Sequence, residues 1–160
     1  MLQLVERCPQ LVSGYRDYCQ EVYDNHVVYF VPTNPILIDD GWFMRTKEWY
    51  DKKELGQIAG QPIGFHYWAV DGDLFIGEFQ LRTQLTQEIM TGIGNIGYAV
   101  CVSQQGLGYG TEILKQGLAI ARKHGMKKVL LNINDSNIVS AHICEKLGGQ
   151  LLDKIQTSNA

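Results

Sequence analysis

Three alternating glycines, Gly106, Gly108 and Gly110, separate an apolar run that ends at Val102 from a helical pattern that begins near Thr111. This order of strand, loop and helix is typical of an α/β fold. Glycines leave backbone amides without side-chain cover, and amides at the start of a helix attract anions. The segment therefore predicts a loop that holds a phosphorylated cofactor.

Two familiar phosphate-binding motifs do not fit this spacing. A Walker loop needs Lys and then Ser or Thr after its last glycine, whereas Thr111 and Glu112 follow here. A dinucleotide fingerprint reads Gly-x-Gly-x-x-Gly, and this loop reads Gly-x-Gly-x-Gly. Asp135, at the end of the next predicted strand, is placed where an acid could bind a ribose, so a nucleotide-binding βαβ protein stays open as an alternative.

Length and composition indicate one globular domain over residues 1–160, with 45% hydrophobic and 19% charged residues. The apolar runs are too short to span a bilayer, and the first residues lack the apolar region of a signal peptide, so we expect a cytoplasmic protein without membrane contact. The sequence has no basic, aromatic-rich stripe of the kind that binds nucleic acid. Four cysteines show neither a Cys-x-x-Cys pair nor metal-ligand spacing, which predicts free thiols and no metal site: Cys8, Cys19, Cys101 and Cys144.

Periodicity predicts two helices, three antiparallel strands and then a βαβαβ run. The helices are expected at 9–26, 46–58, 111–124 and 136–148, with one helical turn at 86–90, and the strands at 65–70, 74–85, 93–102, 128–134 and 150–155. Such a chain forms an α/β or α+β fold, with a mixed sheet and helices on its faces.

Two motifs then resemble a known family. Gln105-Gly106-Leu107-Gly108-Tyr109-Gly110 follows the strand Ile96-Gly97-Tyr98-Ala99-Val100, and Asn137-Ile138-Val139-Ser140 precedes Glu145-Lys146-Leu147-Gly148. In this order and separation they resemble the GNAT superfamily of acetyl-coenzyme A dependent N-acetyltransferases. The resemblance is strong over residues 76–155 and extends to a bacterial branch of predicted acetyltransferases, whereas residues 1–60 match only in their two-helix layout.

The resemblance implies a central, mostly antiparallel sheet of about six strands flanked by four helices. It assigns residues 1–60 to the acceptor side and 64–155 to a core that binds acetyl-coenzyme A. The pantetheine arm is expected to pair with the backbone at Tyr98 and Val100 and to pass near Asn137. The pyrophosphate is expected on the loop amides of Gln105, Gly106, Leu107, Gly108, Tyr109, Gly110 and Thr111. The resemblance also implies a final strand that has no counterpart here, and the exposed sheet edge that would result predicts a homodimer.

The catalytic groups are less sharply indicated than the cofactor loop. Where many relatives place a tyrosine that acts as the acid, this chain has Cys144, which is the candidate for protonating the departing thiolate. Where some relatives place a His or Glu that acts as the base, it has Asn95, whose amide takes no proton. Glu78, mid-strand, and Glu88, in the following loop, are candidate bases. Tyr98 is a candidate for orienting the thioester or the acceptor.

The acceptor side is expected to involve residues 15–45 and 82–92. Its candidate side chains are Tyr15, Tyr18, Tyr29, Trp42 and Arg45, and Arg82 is suited to an acceptor carboxylate. His66, on the predicted strand 65–70, is a further candidate functional residue. The leading hypothesis is direct transfer of an acetyl group to a primary amine of a small molecule or peptide. The alternative is a coenzyme A binding module that has lost catalysis, because Cys144 and Asn95 replace ionisable groups.

Overall fold

The computed structural model describes residues 1–27, 32–84, 86–87 and 89–155. Its sheet has four strands in the order β1-β2-β3-β4, all antiparallel to their neighbours. The strands are β1 (Leu2–Glu6), β2 (Gly64–Asp71), β3 (Leu74–Arg82) and β4 (Ile96–Val100). A short turn at Gly72 joins β2 to β3, and a β-bulge shifts their register between Ala69 and Val70.

Four α-helices cover the two faces of this sheet within the described chain. They are α1 (Val12–Asp24), α2 (Trp42–Glu54), α3 (Tyr109–Lys123) and α4 (Ile138–Lys146), and a π-helix at Ile89–Ile93 precedes β4. The aromatic core under α1 and α2 includes Tyr15, Trp42 and Trp68. The opposite core under α3 is built from Phe79, Leu81 and the apolar face of that helix. The protein is therefore a three-layer α/β structure, as the sequence predicts.

The number of strands differs from the expected six. Residues 128–134 and 150–155 have the alternation expected of strands, but neither segment is part of a sheet. The first is joined to Asn95, the residue before β4, by two hydrogen bonds: Asn95 N donates to the Leu130 carbonyl at 2.7 Å, and Leu130 N donates to Asn95 Oδ1 at 2.8 Å. The chain diverges beyond these bonds, so a ladder cannot form, and all four strands are consequently antiparallel rather than mixed.

One strand was not predicted. Leu2–Glu6 pairs with β2 in the register Leu2↔Asp71 to Glu6↔Tyr67, and it forms an edge of the described sheet. Leu2 and Leu4 face the α3 side, whereas Val5 packs into the aromatic core on the other side. Five residues with this alternation are a weak signal in a sequence, because their identity as a strand depends on the partner.

Candidate active site

A cleft opens between β4 and residues 131–134. Its volume is about 950 Å³, and α4 and the glycine loop close its sides. Asn95 lies at the vertex of the cleft, fully buried. Its Oδ1 accepts from Leu130 N at 2.8 Å, and its Nδ2 donates to Arg82 O at 3.0 Å. The amide thus binds β3 on one side and residue 130 on the other, and it fixes the point from which the two segments diverge.

The glycine loop forms one end of the cleft. Gly106 and Gly108 have φ angles of 79° and 85°, and an added Cβ at either would meet nothing within 4 Å. Among the described residues, no protein acceptor bonds the N–H groups of residues 106–111. Since α3 begins at Tyr109, these amides combine with the positive end of its dipole. The loop is therefore a site for an anion such as a pyrophosphate.

The outer edge of β4 forms the long wall. Arg82 N bonds Asn95 O, and Cys101 N bonds Ile76 O, each at 2.7 Å. Because bonding in an antiparallel pair alternates along the strand, the backbone groups of residues 96, 98 and 100 point away from β3 and into the cleft. This edge is suited to pairing with an extended ligand that carries amides.

Tyr98 stands beside α4 and lines the cleft. Its hydroxyl lies 3.0 Å from Ser140 Oγ, and burial raises the pKa of Tyr98 to about 12. Cys144, one turn further along α4, is half-buried against the α3-side core and is not part of the cleft wall. Burial raises the pKa of the Cys144 thiol. Of these two groups, Tyr98 is the one that borders the cleft.

Asn137 also borders the cleft, but its side chain has a local partner. Its Oδ1 accepts from Ser140 N at 3.2 Å and so caps α4. Tyr109 lines the cleft while its hydroxyl donates to Asp71 Oδ2 at 3.0 Å, which ties the start of α3 to the β2–β3 turn. Leu107 is 66% exposed and lies outside the lining. The structure brings together the other predicted cofactor residues: Tyr98, Val100, Gln105, Gly106, Gly108, Tyr109, Gly110, Thr111 and Asn137.

Glu78 lies away from this cleft, buried on the α1 side of the sheet. Tyr18 donates its hydroxyl to Glu78 Oε1 at 2.9 Å, and His66 Nε2 contacts Glu78 Oε2. Burial, followed by the nearby Glu78, raises the pKa of Tyr18 well above its usual value. Glu78 therefore has two protein partners and does not reach the cleft, whereas His66 borders a smaller pocket beside α2.

Most other acceptor-side candidates lie in the core or in a surface ion pair rather than in the cleft. Tyr15, Tyr18 and Trp42 are buried in the aromatic core, with the Tyr15 and Trp42 rings 5.2 Å apart. Arg45 is exposed and pairs with Asp39 at 2.9 Å. Tyr29 and Glu88 lie outside the described residues. Arg82 is different, because it lines both the cleft and the smaller pocket.

The nucleotide-binding alternative receives no support from the placement of Asp135. Asp135 is exposed, pairs with Lys154 at 3.0 Å and does not line the cleft. Within the described ranges, no group of three or more His, Cys, Asp or Glu side chains could hold a metal ion. None of the described helices is long and apolar enough to cross a membrane.

A free strand edge leading to an anion-binding glycine loop defines an α/β protein that takes an extended, phosphorylated cosubstrate. The family model described as an acetyltransferase (GNAT) domain matches residues 17–150, and the chain therefore belongs to the GNAT family. This membership makes it an acyltransferase. No curated protein sequence matches the chain.

Solved structures agree with the fold. RimJ of Mycobacterium smegmatis, in complex with a CoA disulfide, is 12% identical with a TM-score of 0.67, over 92% of this chain and 69% of that one. A GNAT-family acetyltransferase of Streptococcus pneumoniae is 14% identical with a TM-score of 0.60, over 92% and 83%. A predicted acetyltransferase of Clostridium acetobutylicum with acetyl-CoA is 14% identical with a TM-score of 0.58, over 99% and 96%. At such identities the likeness concerns the fold.

Proposed function

We propose that the protein transfers an acetyl group from acetyl-coenzyme A to a primary amine of a small molecule or peptide, directly and within a ternary complex. The observation that carries this proposal is the run of unpartnered amides at residues 106–111, placed where the free edge of β4 ends. A pyrophosphate is suited to the loop and the two pantetheine amides are suited to the strand edge. The neighbouring structures that contain CoA or acetyl-CoA support the same cosubstrate.

Tyr98 is assigned the role of proton donor. When bound, acetyl-coenzyme A supplies the activated acetyl group and leaves as a thiol, so one proton must reach its sulfur. The Tyr98 hydroxyl borders the cleft, and because its pKa is raised to about 12 it carries its proton at neutral pH. Ser140 holds the Tyr98 hydroxyl at 3.0 Å, and Asn137 orders the helix turn that carries Ser140.

The acceptor amine is inferred to react in its neutral form. No Asp, Glu or His lines the cleft among the described residues, and Glu88, the remaining candidate base, lies outside them. Among the described residues that line the cleft, only Arg82 is charged. Its positive charge disfavours the ammonium form of a nearby amine. Glu78 is assigned a positioning role, because it holds His66 and borders neither cavity.

A thermal-shift titration tests the cosubstrate. Acetyl-coenzyme A and coenzyme A should stabilise the protein, by about 2.7 kcal/mol at 100 times the dissociation constant. Gly108→Val should lose this response, and Gly60→Val is the matched control, since Gly60 also has a positive φ, 73°, and open space around it but lies outside the cleft. Stabilisation by ATP or NAD in place of coenzyme A would favour the nucleotide-binding alternative.

Turnover separates the transferase from a degenerate coenzyme A binding module. Thiol release from acetyl-coenzyme A is followed with a broad panel of amines, and the acetylated amine is identified by mass spectrometry. Tyr98→Phe should lower kcat while leaving KM for acetyl-coenzyme A nearly unchanged, because the lost group acts on the leaving thiolate. Stabilisation by coenzyme A without turnover of any amine would favour the degenerate module.

A further inference from the structure

A second cavity of about 220 Å³ lies where the end of α2 meets the start of β2 and the end of β3. Its lining includes aromatic and polar residues, among them Trp49, Tyr50, Lys53, His66, Gln80 and Arg82. Arg82 also lines the large cleft, so the two cavities adjoin at this side chain. The pocket therefore borders the proposed cosubstrate site but has a different chemistry.

Two cations face this pocket without an acidic partner. Within the described residues, no carboxylate oxygen lies within 4.0 Å of a side-chain nitrogen of Lys53 or Arg82. The oxygens to which Arg82 donates in the described part of the chain are neutral, Gln80 Oε1 at 2.9 Å and Gly94 O at 3.4 Å. Lys53 Nζ lies 4.9 Å from the centre of the Trp49 ring. Burial and then the proximity of Arg82 lower the pKa of Lys53, and burial lowers the pKa of Arg82.

A third polar group at the pocket is also unmatched. His66 is only 8% exposed, and its Nε2 faces Glu78. Its Nδ1 is buried and has no hydrogen-bond partner in the described chain. Buried polar atoms without partners are rare, because each costs the free energy of its lost hydration. Because Nε2 faces the Glu78 carboxylate, Nδ1 of a neutral imidazole is itself an acceptor and gives no support to an anionic ligand. The two cations at the same cavity, which have no carboxylate partner among the described residues, indicate that a ligand supplies a negatively charged acceptor.

We propose that this pocket binds a carboxylate of the acceptor, so that the amine substrate is an amino acid, an aminocarboxylate or a peptide with a carboxylate near its amine. The proposal rests on the proposed function, since it identifies the class of the acceptor. Lys53 and Arg82 bind the carboxylate, and the shared Arg82 places the rest of the molecule toward the cleft. A pocket of this size admits a small group, which suits a carboxylate and a short stem.

Direct binding is measured by NMR with ¹⁵N-labelled protein, which follows the amides of residues 64–66 and 80–82 and the Trp49 indole. The probes are 5-aminopentanoate and pentylamine, which differ only in the carboxylate, and inorganic phosphate. We expect saturable shifts at the pocket with 5-aminopentanoate and none with pentylamine. Lys53→Met should weaken binding about tenfold, as loss of one charged hydrogen bond predicts. Lys52→Met is the matched control, because Lys52 is exposed on the same helix and pairs with Glu48.

Three results would overturn the proposal: no saturable shift with 5-aminopentanoate, equal shifts with pentylamine, or binding that Lys53→Met leaves unchanged. Phosphate binding more tightly than 5-aminopentanoate would overturn the assignment to a carboxylate and favour a phosphorylated acceptor. The proposed function is tested separately, by stabilisation with acetyl-coenzyme A and by amine turnover. Acetyl transfer without carboxylate binding would refute only the proposal for the pocket. Carboxylate binding without a response to acetyl-coenzyme A would refute the proposed function.

Discussion

Replacement of Asn95 by alanine removes the side chain that holds the vertex of the cleft. The amide makes two good hydrogen bonds, with Leu130 N at 2.8 Å and Arg82 O at 3.0 Å, and a weak one with Gln84 O at 3.4 Å. Loss of a hydrogen bond that leaves a buried backbone group without a partner costs about 1–3 kcal/mol. Counting the two good bonds, we expect Asn95→Ala to lower the free energy of unfolding by about 3 kcal/mol.

Urea denaturation followed by circular dichroism measures this change. For a domain of this length, about 3 kcal/mol corresponds to a decrease in Tm of about 6–12 °C. The urea midpoint should fall while the m value stays constant, because the surface exposed on unfolding is nearly the same. Asn95→Ala should also weaken binding of coenzyme A, since residue 130 no longer fixes the far wall of the cleft.

Asn132→Ala is the matched control for Asn95→Ala. Asn132 lies two residues after Leu130, on the segment that Asn95 holds, but its side chain is exposed and donates one bond, to Met90 O at 3.4 Å. This variant should stay within about 0.5 kcal/mol of the wild type, as is usual for surface changes. If both variants lost the same small amount of stability, the vertex bonds would not hold the cleft and the reasoning would be refuted.

Three further variants test particular contacts by denaturation. Gly117→Ala should destabilise by about 1–3 kcal/mol, because its Cβ would lie 2.1 Å from Phe79 Cε2 and the helix would have to shift. Glu78→Ala should cost about 2–5 kcal/mol, because it leaves the buried His66 Nε2 without its acceptor. Tyr98→Phe should reduce the loss of stability between pH 10 and 12. The raised pKa of Tyr98, about 12, means that the unfolded state loses its proton first, so the wild type loses stability as the pH rises through this range.

The controls and contrary outcomes differ for each variant. Gly92→Ala has nothing within 4 Å of the new Cβ and should be nearly neutral, and an equal loss at both glycines would mean that packing against Phe79 is not the cause. Glu48→Ala breaks only an exposed pair with Lys52, so its cost should stay within about 0.5 kcal/mol. A wild type and Tyr98→Phe with identical stability curves above pH 10 would show that the Tyr98 hydroxyl is not buried as described.

Local signals account for most of what the sequence predicted. The glycines at 106 and 108 have the positive φ angles that only glycine adopts readily, and Thr111 lies in the helix that the pattern placed there. The turn at 71–73 joins β2 to β3 as expected, with φ of 60° at Gly72. These features depend on a few neighbouring residues, which is why sequence alone was sufficient.

The remaining features depend on residues that are distant in the chain. Residues 128–134 have the alternation of apolar and polar residues expected of a strand, and Val129 and Leu131 pack toward the α3-side core. A strand also needs a neighbour to pair with, and here β4 diverges from the segment to form the cleft. The sequence marked Asn95 only as unable to act as a base. Its structural role requires Arg82 and Leu130 to meet at its amide, which local pattern does not encode.

Asn95 and Arg82 also couple the two cavities. Arg82 N donates to Asn95 O at 2.7 Å, and Arg82 O accepts from Asn95 Nδ2, so the two residues hold each other through both backbone groups of Arg82. The same arginine projects a side chain that lines the cleft and the pocket beside α2. The cation that we assign to the acceptor carboxylate is therefore fixed to the vertex from which the cosubstrate cleft opens. A transferase that acts by direct transfer needs its two substrates in one rigid frame, because small misplacement of the reacting atoms slows the reaction greatly. Buried hydrogen bonds between two neighbouring strands supply that frame without a carboxylate or histidine in the described lining of the cleft.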